Sequence, residues 1–257
     1  MQSLAAETRV EQFSPQGEVK GVRQVSVRFS DAMVAFGDPR LPEPFDVQCP
    51  APGTARWADQ KNWIFDFAHD LPAGVRCSFV LKSGLKNTEG AEVTGQKEFS
   101  FSTGGPAIVE SYPYDGSQID EEQVFMLGLD SPVVEQTILS KAYCDVQGIS
   151  EKVGVRIIAG EERVVLLKSR KDFVSRWLRV LFKDGSERVI AGRALPKGST
   201  ADALLDSKDA DSLPIVLLQC ARKFPNAAEV RLVWGKGIAA SSGVPTTADQ
   251  ALAFSVR

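Results

Sequence analysis

The chain of 257 residues has one histidine, His69, and no C-x-x-C pair among its four cysteines, Cys49, Cys77, Cys144 and Cys220. Structural zinc sites draw on closely spaced Cys or His ligands, so no metal or other cofactor is expected. Long apolar runs are missing too. Stretches such as Pro214–Leu218 fall far short of the roughly 18 residues that a membrane-spanning helix needs. Charge of one sign is also lacking, because 30 Lys and Arg face 33 Asp and Glu for a net charge of −3, which argues against a dedicated nucleic-acid binder. The start, Met1-Gln2-Ser3-Leu4-Ala5-Ala6-Glu7, has neither the basic nor the long apolar region of a signal peptide. It is expected to belong to a cytosolic chain or to a mature segment behind an added Met1.

What is present is an ordinary globular composition, 43% hydrophobic and 25% charged, which excludes intrinsic disorder. The chain also repeats itself. Leu71-Pro72-Ala73-Gly74-Val75-Arg76-Cys77 overlies Phe224-Pro225-Asn226-Ala227-Ala228-Glu229-Val230 at an offset of 153, which also carries Phe99-Ser100-Phe101-Ser102 onto Leu252-Ala253-Phe254-Ser255. Upstream, Val25-x-Val27-x-Phe29 matches Phe125-x-Leu127-x-Leu129 at an offset of 100. The offsets differ by 53, so the second copy carries about that many extra residues in its middle.

Each copy alternates apolar and polar residues with the period of half-buried strands. Val25, Val27 and Phe29 would share a face, as would Trp63, Phe65 and Phe67, then Val75, Cys77 and Phe79, then Phe99 and Phe101. Turn chemistry separates the runs, for example Ser14-Pro15-Gln16-Gly17 and Pro50-Ala51-Pro52-Gly53. The pattern predicts a mainly β chain of two consecutive antiparallel Ig-like β-sandwiches, residues 7–104 and 105–257, with the boundary at Gly104-Gly105-Pro106 and an insertion at about 153–213 in the second.

The insertion reads as a helix plus a hairpin. Phe173, Trp177, Leu178 and Leu181 fall on one helical face within Glu161–Leu181, and Asp184-Gly185 suits a tight turn between Val180-Leu181-Phe182 and Arg188-Val189-Ile190. The helix is therefore expected to end near residue 178, with a short helix capped by Ser199 or Thr200 and an acidic loop over Asp206–Asp211 farther on. Between Arg163 and Lys197 ten Lys or Arg face three acids. Lys168, Arg170, Lys171 and Arg176 are the candidates for a surface that docks an acidic partner, a solvated helical face being the plainer reading. The apolar residues are too few for an independent core, so the insertion must lean on the sandwich with its basic side chains turned outward.

Other candidates are weaker. His69 has Asp66 and Asp70 beside it, as a general base would, yet its place before Leu71-Pro72 suits a solvated turn. Asp115-Gly116-Ser117 with Asp120-Glu121-Glu122 gathers oxygen ligands for calcium but lacks the full loop pattern, which favours an acidic turn. Trp57 and Trp63 have the rings to stack on a sugar, but the alternation places Trp63 in the core. No G-x-S-x-G pattern and no trio of acid, base and nucleophile is visible, so the chain is expected not to be an enzyme.

Two resemblances add to this. Phe13-Ser14-Pro15-Gln16-Gly17, Val25 to Met33, Asp70-Leu71-Pro72-Ala73-Gly74 and Phe99 to Thr103 resemble the Ig-like modules of bacterial surface proteins. Pro44-Phe45-Asp46-Val47-Gln48-Cys49, Arg56-Trp57 to Asn62-Trp63, Leu71 to Cys77, Ser117 to Phe125 and Val233-Trp234-Gly235-Lys236-Gly237 together resemble the N-terminal region of bacterial alpha-2-macroglobulins. That resemblance covers nearly the whole chain. It implies a scaffold and recognition segment of a periplasmic or cell-envelope protease trap, with target proteases and other domains of the same chain as partners and a membrane tether elsewhere. The family's thioester motif C-x-E-Q is missing: the pairs Glu11-Gln12, Glu122-Gln123 and Glu135-Gln136 have Arg9, Asp120 and Val133 where the Cys would stand. The alternative is a module pair from a cell-surface adhesin or S-layer protein. In either setting the even split of cysteines fits one disulfide per domain, Cys49 with Cys77 and Cys144 with Cys220, against two other pairings or four buried thiols.

Overall fold

The computed structural model describes residues 7–35, 42–182, 198–206 and 210–257, and the backbone alone of 188–190 and 193–195. Two compact units emerge, one of residues 1–71 and 75–103, the other of 72–74 and 104–257.

The first unit is a β-sandwich. Its strands are β1 (Thr8–Ser14), β2 (Gly17–Glu18), β3 (Gln24–Phe29), β4 (Phe45–Gln48), β5 (Gly53–Trp57), β6 (Asn62–Phe67), β7 (Arg76–Leu81), β8 (Val93–Thr94) and β9 (Glu98–Ser102). One sheet runs β5-β6-β3-β1-β8 and the other β2-β9-β7-β4. Most pairs are antiparallel, and the two-residue contacts β1 with β8 and β2 with β9 are parallel. Period-2 alternation does the sorting. Val25, Val27, Phe29, Trp63, Phe65 and Phe67 of one sheet and Cys77, Phe79, Phe99 and Phe101 of the other are all buried in one core. Aromatic rings tie the two layers, with Phe45 5.1 Å from Trp63 and Phe13 4.8 Å from Phe99.

The second unit repeats this plan with β10 (Ile108–Tyr112), β11 (Gln118–Ile119), β12 (Val124–Leu129), helix α1 (Glu135–Lys141), β13 (Tyr143–Val146), β14 (Val153–Ile158), helices α2 (Gly160–Ser169) and α3 (Lys171–Leu181), β15 (Arg188–Ile190), β16 (Arg193–Leu195), helix α4 (Ala201–Leu205), β17 (Ile215–Cys220), β18 (Glu229–Trp234) and β19 (Gln250–Val256). Strand β14 belongs to both layers. Its first residues pair with β13, at Tyr143↔Gly154 and Cys144↔Val153, and the rest pairs with β17, from Val155↔Cys220 to Ile158↔Leu217. This switch chains eight strands in the order β10-β12-β17-β14-β13-β18-β19-β11.

Both repeat offsets are structural. Strand β12 begins and ends 100 residues after β3, and β17 and β18 stand 153 residues after β6 and β7. The extra residues lie between β14 and β17, where the first copy has only Ala58–Lys61 between β5 and β6. The expected insertion limits of 153–213 are corrected here. Residues 153–158 alternate buried and exposed as a sheet strand does, so the insertion begins at Ala159. The hairpin is corrected too. Helix α3 continues through Leu181, because Leu178 and Leu181 are needed on its buried face, and Val180-Leu181-Phe182 forms no strand. Arg188–Ile190 pairs instead with Arg193–Leu195, and the Asp184-Gly185 turn lies outside the described residues. Residues 207–209 of the expected acidic loop do as well.

Each sandwich holds one disulfide, and the two differ in kind. Cys49–Cys77 continues the register Gln48↔Ser78 by one step and links neighbouring strands of one sheet, Cα to Cα 4.4 Å. Cys144–Cys220 links strands β13 and β17 across the two layers, 6.1 Å apart at Cα. The loops closed span 28 and 76 residues. Chain entropy then assigns about 3.6 kcal/mol to the first and about 4.5 kcal/mol to the second. Replacing both cysteines of a pair by serine should lower the urea midpoint of its own sandwich, more for Cys144 and Cys220. The reverse order in urea titrations would show that the unfolded-chain constraint is not what these bonds supply.

Candidate functional site

The feature that most sets the second sandwich apart is a helical layer on the outer face of β12 and β17. In the first sandwich that face of β3 carries Gln24, Ser26 and Arg28, all exposed. At the repeat-equivalent positions β12 carries Val124, Met126 and Gly128, and β17 adds Ile215 and Leu217. An apolar face of that size requires a cover. Phe173, Val174, Trp177, Leu178 and Leu181 of α3, with Leu167 of α2 and Leu204 and Leu205 of α4, form a buried cluster with Met126, Ile158, Ile215 and Leu217. Trp177 is fully buried, and its Nε1 donates to the Leu129 carbonyl at 2.9 Å. A Cβ on Gly128 would stand 2.3 Å from the indole Cδ1, so this ring needs a glycine beneath it. Thr200 caps α4 by accepting from the Ala203 N–H at 3.3 Å.

The single expected helix over 161–178 is two, broken at Arg170 with φ −130° and ψ 48°. Arg163 fastens the first of them. Its guanidinium, 7% exposed, donates to the carbonyls of Ala210 (2.8 Å), Leu213 (3.1 Å) and Ile215 (2.9 Å), and burial lowers its pKa. Asp211, 3.7 Å away, and Glu135 partly offset this. A cavity of about 340 Å³ opens beside it, lined by Glu135, Ile157, Asp211, Pro214 and Val216 among others. The arginine's donors are spent on backbone carbonyls of the segment that returns to β17, which makes it a staple of the layer.

The four cations expected to face a partner make contacts within the unit, while Lys168, Arg170 and Lys171 stay exposed and Arg176 is half-buried. Lys168 pairs with Asp206 at 2.8 Å and Lys171 with Asp202. Arg176 pairs with Glu110 at 2.9 Å and Asp172 at 2.7 Å and lies 4.7 Å from the Tyr114 ring centroid, while Arg170 stacks 4.6 Å from that of Tyr112. The Lys168 hydrogen bond holds the Asp206 carboxyl below its ordinary value, the Arg176 hydrogen bond does so for Asp172, and the Asp202 hydrogen bond raises Lys171. Burial opposes the charge of Arg176, and its bonds to Asp172 and Glu110 outweigh that. Asp202 and Asp206, the partners of Lys171 and Lys168, lie just beyond the basic stretch from Arg163 to Lys197.

Elsewhere, His69 is exposed. The oxygen cluster is divided among other partners: Asp115 accepts from the Ala253 N–H, Glu121 meets Lys223 at 2.6 Å and Asp120 meets Arg257 at 3.5 Å. Among the described residues no group of three or more His, Cys, Asp or Glu is placed to hold a metal, and no helix is long and apolar enough to cross a membrane. Trp63 is in the core, whereas Trp57 lies at its edge, 5.6 Å from Phe29, with Nε1 donating to the Pro42 carbonyl. One polar group had no signal in the sequence. Buried Thr8 donates to Asp31 at 2.9 Å and accepts from Asn87 at 2.9 Å, and hydrogen bonds from Ser30 and Thr8 lower the Asp31 pKa.

No protein-family model and no curated protein matches the chain. Similar solved structures include an L,D-transpeptidase from Mycobacterium tuberculosis, 18% identical over 59% of this chain and 65% of that one, with a TM-score of 0.27. Another is an L,D-transpeptidase from Mycobacterium smegmatis, 18% identical over 62% of this chain and 67% of that one, TM-score 0.27. A third is the N-terminal part of a bacterial S-layer protein, 11% identical over 98% of this chain and 45% of that one, TM-score 0.26. The chain thus spans just under two thirds of the first and less than half of the third. None of the three is an alpha-2-macroglobulin. The expectation that the chain is not an enzyme is corrected by the two L,D-transpeptidases, which are enzymes. Overlap at this level transfers no activity.

Trp177→Ala should destabilise the second sandwich by about 3 kcal/mol, and Gly128→Ala, which adds only a methyl group, by about 1–3 kcal/mol. Thermal melts that leave either variant unchanged would refute the docking of this layer. Acid should loosen it as well. Asp172 and Asp206 titrate lower when folded than their ordinary 3.8, so their stabilisation is present above that value and is lost as pH falls through the folded one. Amide exchange in α3, corrected for its intrinsic pH dependence, should therefore quicken below about pH 4.

Proposed function

We propose that the chain is a scaffold and recognition segment of an extracytoplasmic protein, built from two sandwiches of which the second is enlarged to engage a neighbouring domain or partner protein. The observation that carries this is the pair of disulfides, one inside each sandwich. Such bonds persist in oxidising compartments such as the periplasm and the cell surface. Their positions are not repeat-equivalent, since Cys77 falls on Val230 and Cys220 on Phe67, so each sandwich acquired its own.

The sharper reading, a segment of an alpha-2-macroglobulin-like protease trap acting on target proteases, rests on the sequence resemblance. Several residues that carry it, Phe45, Trp63, Cys77 and Trp234, are buried in the sandwich cores. Packing alone accounts for those residue types, so the coarser reading is adopted, and it is shared with Ig-like pairs from adhesins and S-layer proteins.

Secretion into the periplasm should yield a protein with no thiol reactive to Ellman reagent after denaturation, and four thiols per chain would overturn the extracytoplasmic reading. Sequencing the gene beyond Arg257 separates the finer readings. A C-x-E-Q motif supports the trap, and further plain sandwiches or a cell-wall anchor support the surface protein.

A further inference from the structure

The two sandwiches differ along one side. In the second, β13 and β14 pair at Cys144↔Val153 and close the gap between the layers. In the first, the equivalent strands β4 and β5 are the outer strands of separate sheets. Val47 corresponds to Cys144, because their cross-strand partners Phe79 and Leu232 are related by the 153-residue offset, and Gly53 corresponds to Val155, because their partners Phe67 and Cys220 are related in the same way.

Hydrogen-bond phase shows which backbone groups are left facing the gap. The Lys82 N–H donates to the Pro44 carbonyl at 2.9 Å, so Asp46 and Gln48 address β7 while Phe45 and Val47 turn their N–H and C=O groups outward. On β5, the Ala58 N–H donates to the Asn62 carbonyl at 2.8 Å, so Arg56 and Thr54 address β6 while Gly53 and Ala55 face the gap. The cause of the opening is visible. Cys144–Cys220 draws the layers together beside the paired strands, whereas Cys49–Cys77 lies within one sheet and draws nothing across. The Phe65 ring also occupies the place of a Gly53 side chain, which would otherwise begin 2.2 Å from its Cε1.

A cavity of about 500 Å³ lies here, lined by Phe45, Asp46, Val47, Gly53, Ala55 and Phe65, with Glu43 and Lys82 also at its wall. Three successive residues of each strand line it, Phe45 to Val47 and Gly53 to Ala55, so an added strand spans it with about three residues. Two carboxylates, Glu43 and Asp46, face one ammonium, Lys82, in that lining.

We propose that the side of the first sandwich between β4 and β5 is a strand-addition site for an extended segment of a partner protein, three residues long in the slot and flanked by Lys or Arg. Main-chain bonds to Phe45, Val47, Gly53 and Ala55 supply the affinity, as in β-augmentation generally. The apolar walls accept the inward side chains, and the acidic excess favours the basic flank.

The probe is the blocked peptide acetyl-Lys-Val-Thr-Val-Lys-amide with a fluorophore on one lysine, titrated against the whole chain by anisotropy. Saturable binding is expected, with amide exchange slowed at Phe45, Val47 and Ala55. Methylating alternate peptide nitrogens should weaken it at least about tenfold, because those amides then donate nothing. Val47→Pro removes the one N–H that faces the slot from that position, leaves the ladder to β7 intact, and should cause a similar loss at an unchanged melting temperature. If that variant fails to fold, the methylated peptide still decides. No saturation at millimolar peptide overturns the proposal, as does equal binding of the methylated form. Self-association of the chain that protects the same amides would also overturn it, since the slot would then serve a second copy.

Discussion

Gly128 has no side chain, and the second sandwich is organised around the indole that fills that space. An ordinary residue there would hold Trp177 off the sheet, and with it the apolar face of α3. The neighbours follow from that contact. Met126 and Ile215 are apolar where the first copy has Ser26 and Asn62, and Leu217 stands at the place of Ile64. Leu204 and Leu205 complete the cover, and Arg163 ties α2 to the chain returning into β17. The sheet between the two layers is therefore buried on both sides, which is unusual for an antiparallel sheet and explains why β12 and β17 are nearly continuous apolar runs.

The repeat and the disulfides show how one plan supports two different bodies. Each copy contributes the same paired strands, yet a cross-link within a sheet and a cross-link between sheets constrain different motions. The first stiffens one layer and leaves the sandwich free to part at its side. The second fixes the distance between layers, and β14 can then belong to both.

Much of this was legible in the sequence. Alternation at Val25-Val27-Phe29 and Trp63-Phe65-Phe67 reported burial directly, because a strand with one wet face has no other way to sort its side chains. The two offsets located the inserted residues for the same reason. The insertion itself was harder. Val153-Gly154-Val155 is too short and too broken by glycine to announce a strand, and only its partners Cys144 and Cys220 reveal it. The end of α3 was misjudged because Val180-Leu181-Phe182 suits a strand locally, and a tertiary contact at Leu181 decided otherwise. The ion pairs of the basic stretch were not legible because pairing is set by space: Lys168 and Lys171 are near Asp206 and Asp202 only once α4 folds back over α2 and α3. Arg163 was counted among surface cations, and nothing in a linear reading marks an arginine whose partners are backbone carbonyls.

The place of the insertion has a consequence for how such a chain is elaborated. It leaves and re-enters the sheet at Ile158 and Leu217, residues directly opposite one another on paired strands. Topologically it is an overgrown hairpin loop, standing where the first copy has four residues. The entropy of closing a flexible loop grows only with the logarithm of its length, so lengthening four residues to 56 costs roughly 2.3 kcal/mol beyond the short turn. Burying one aromatic such as Trp177 offsets that by itself. A loop whose ends are already held together can thus gain or lose a whole structural layer without asking the strands beneath it to move.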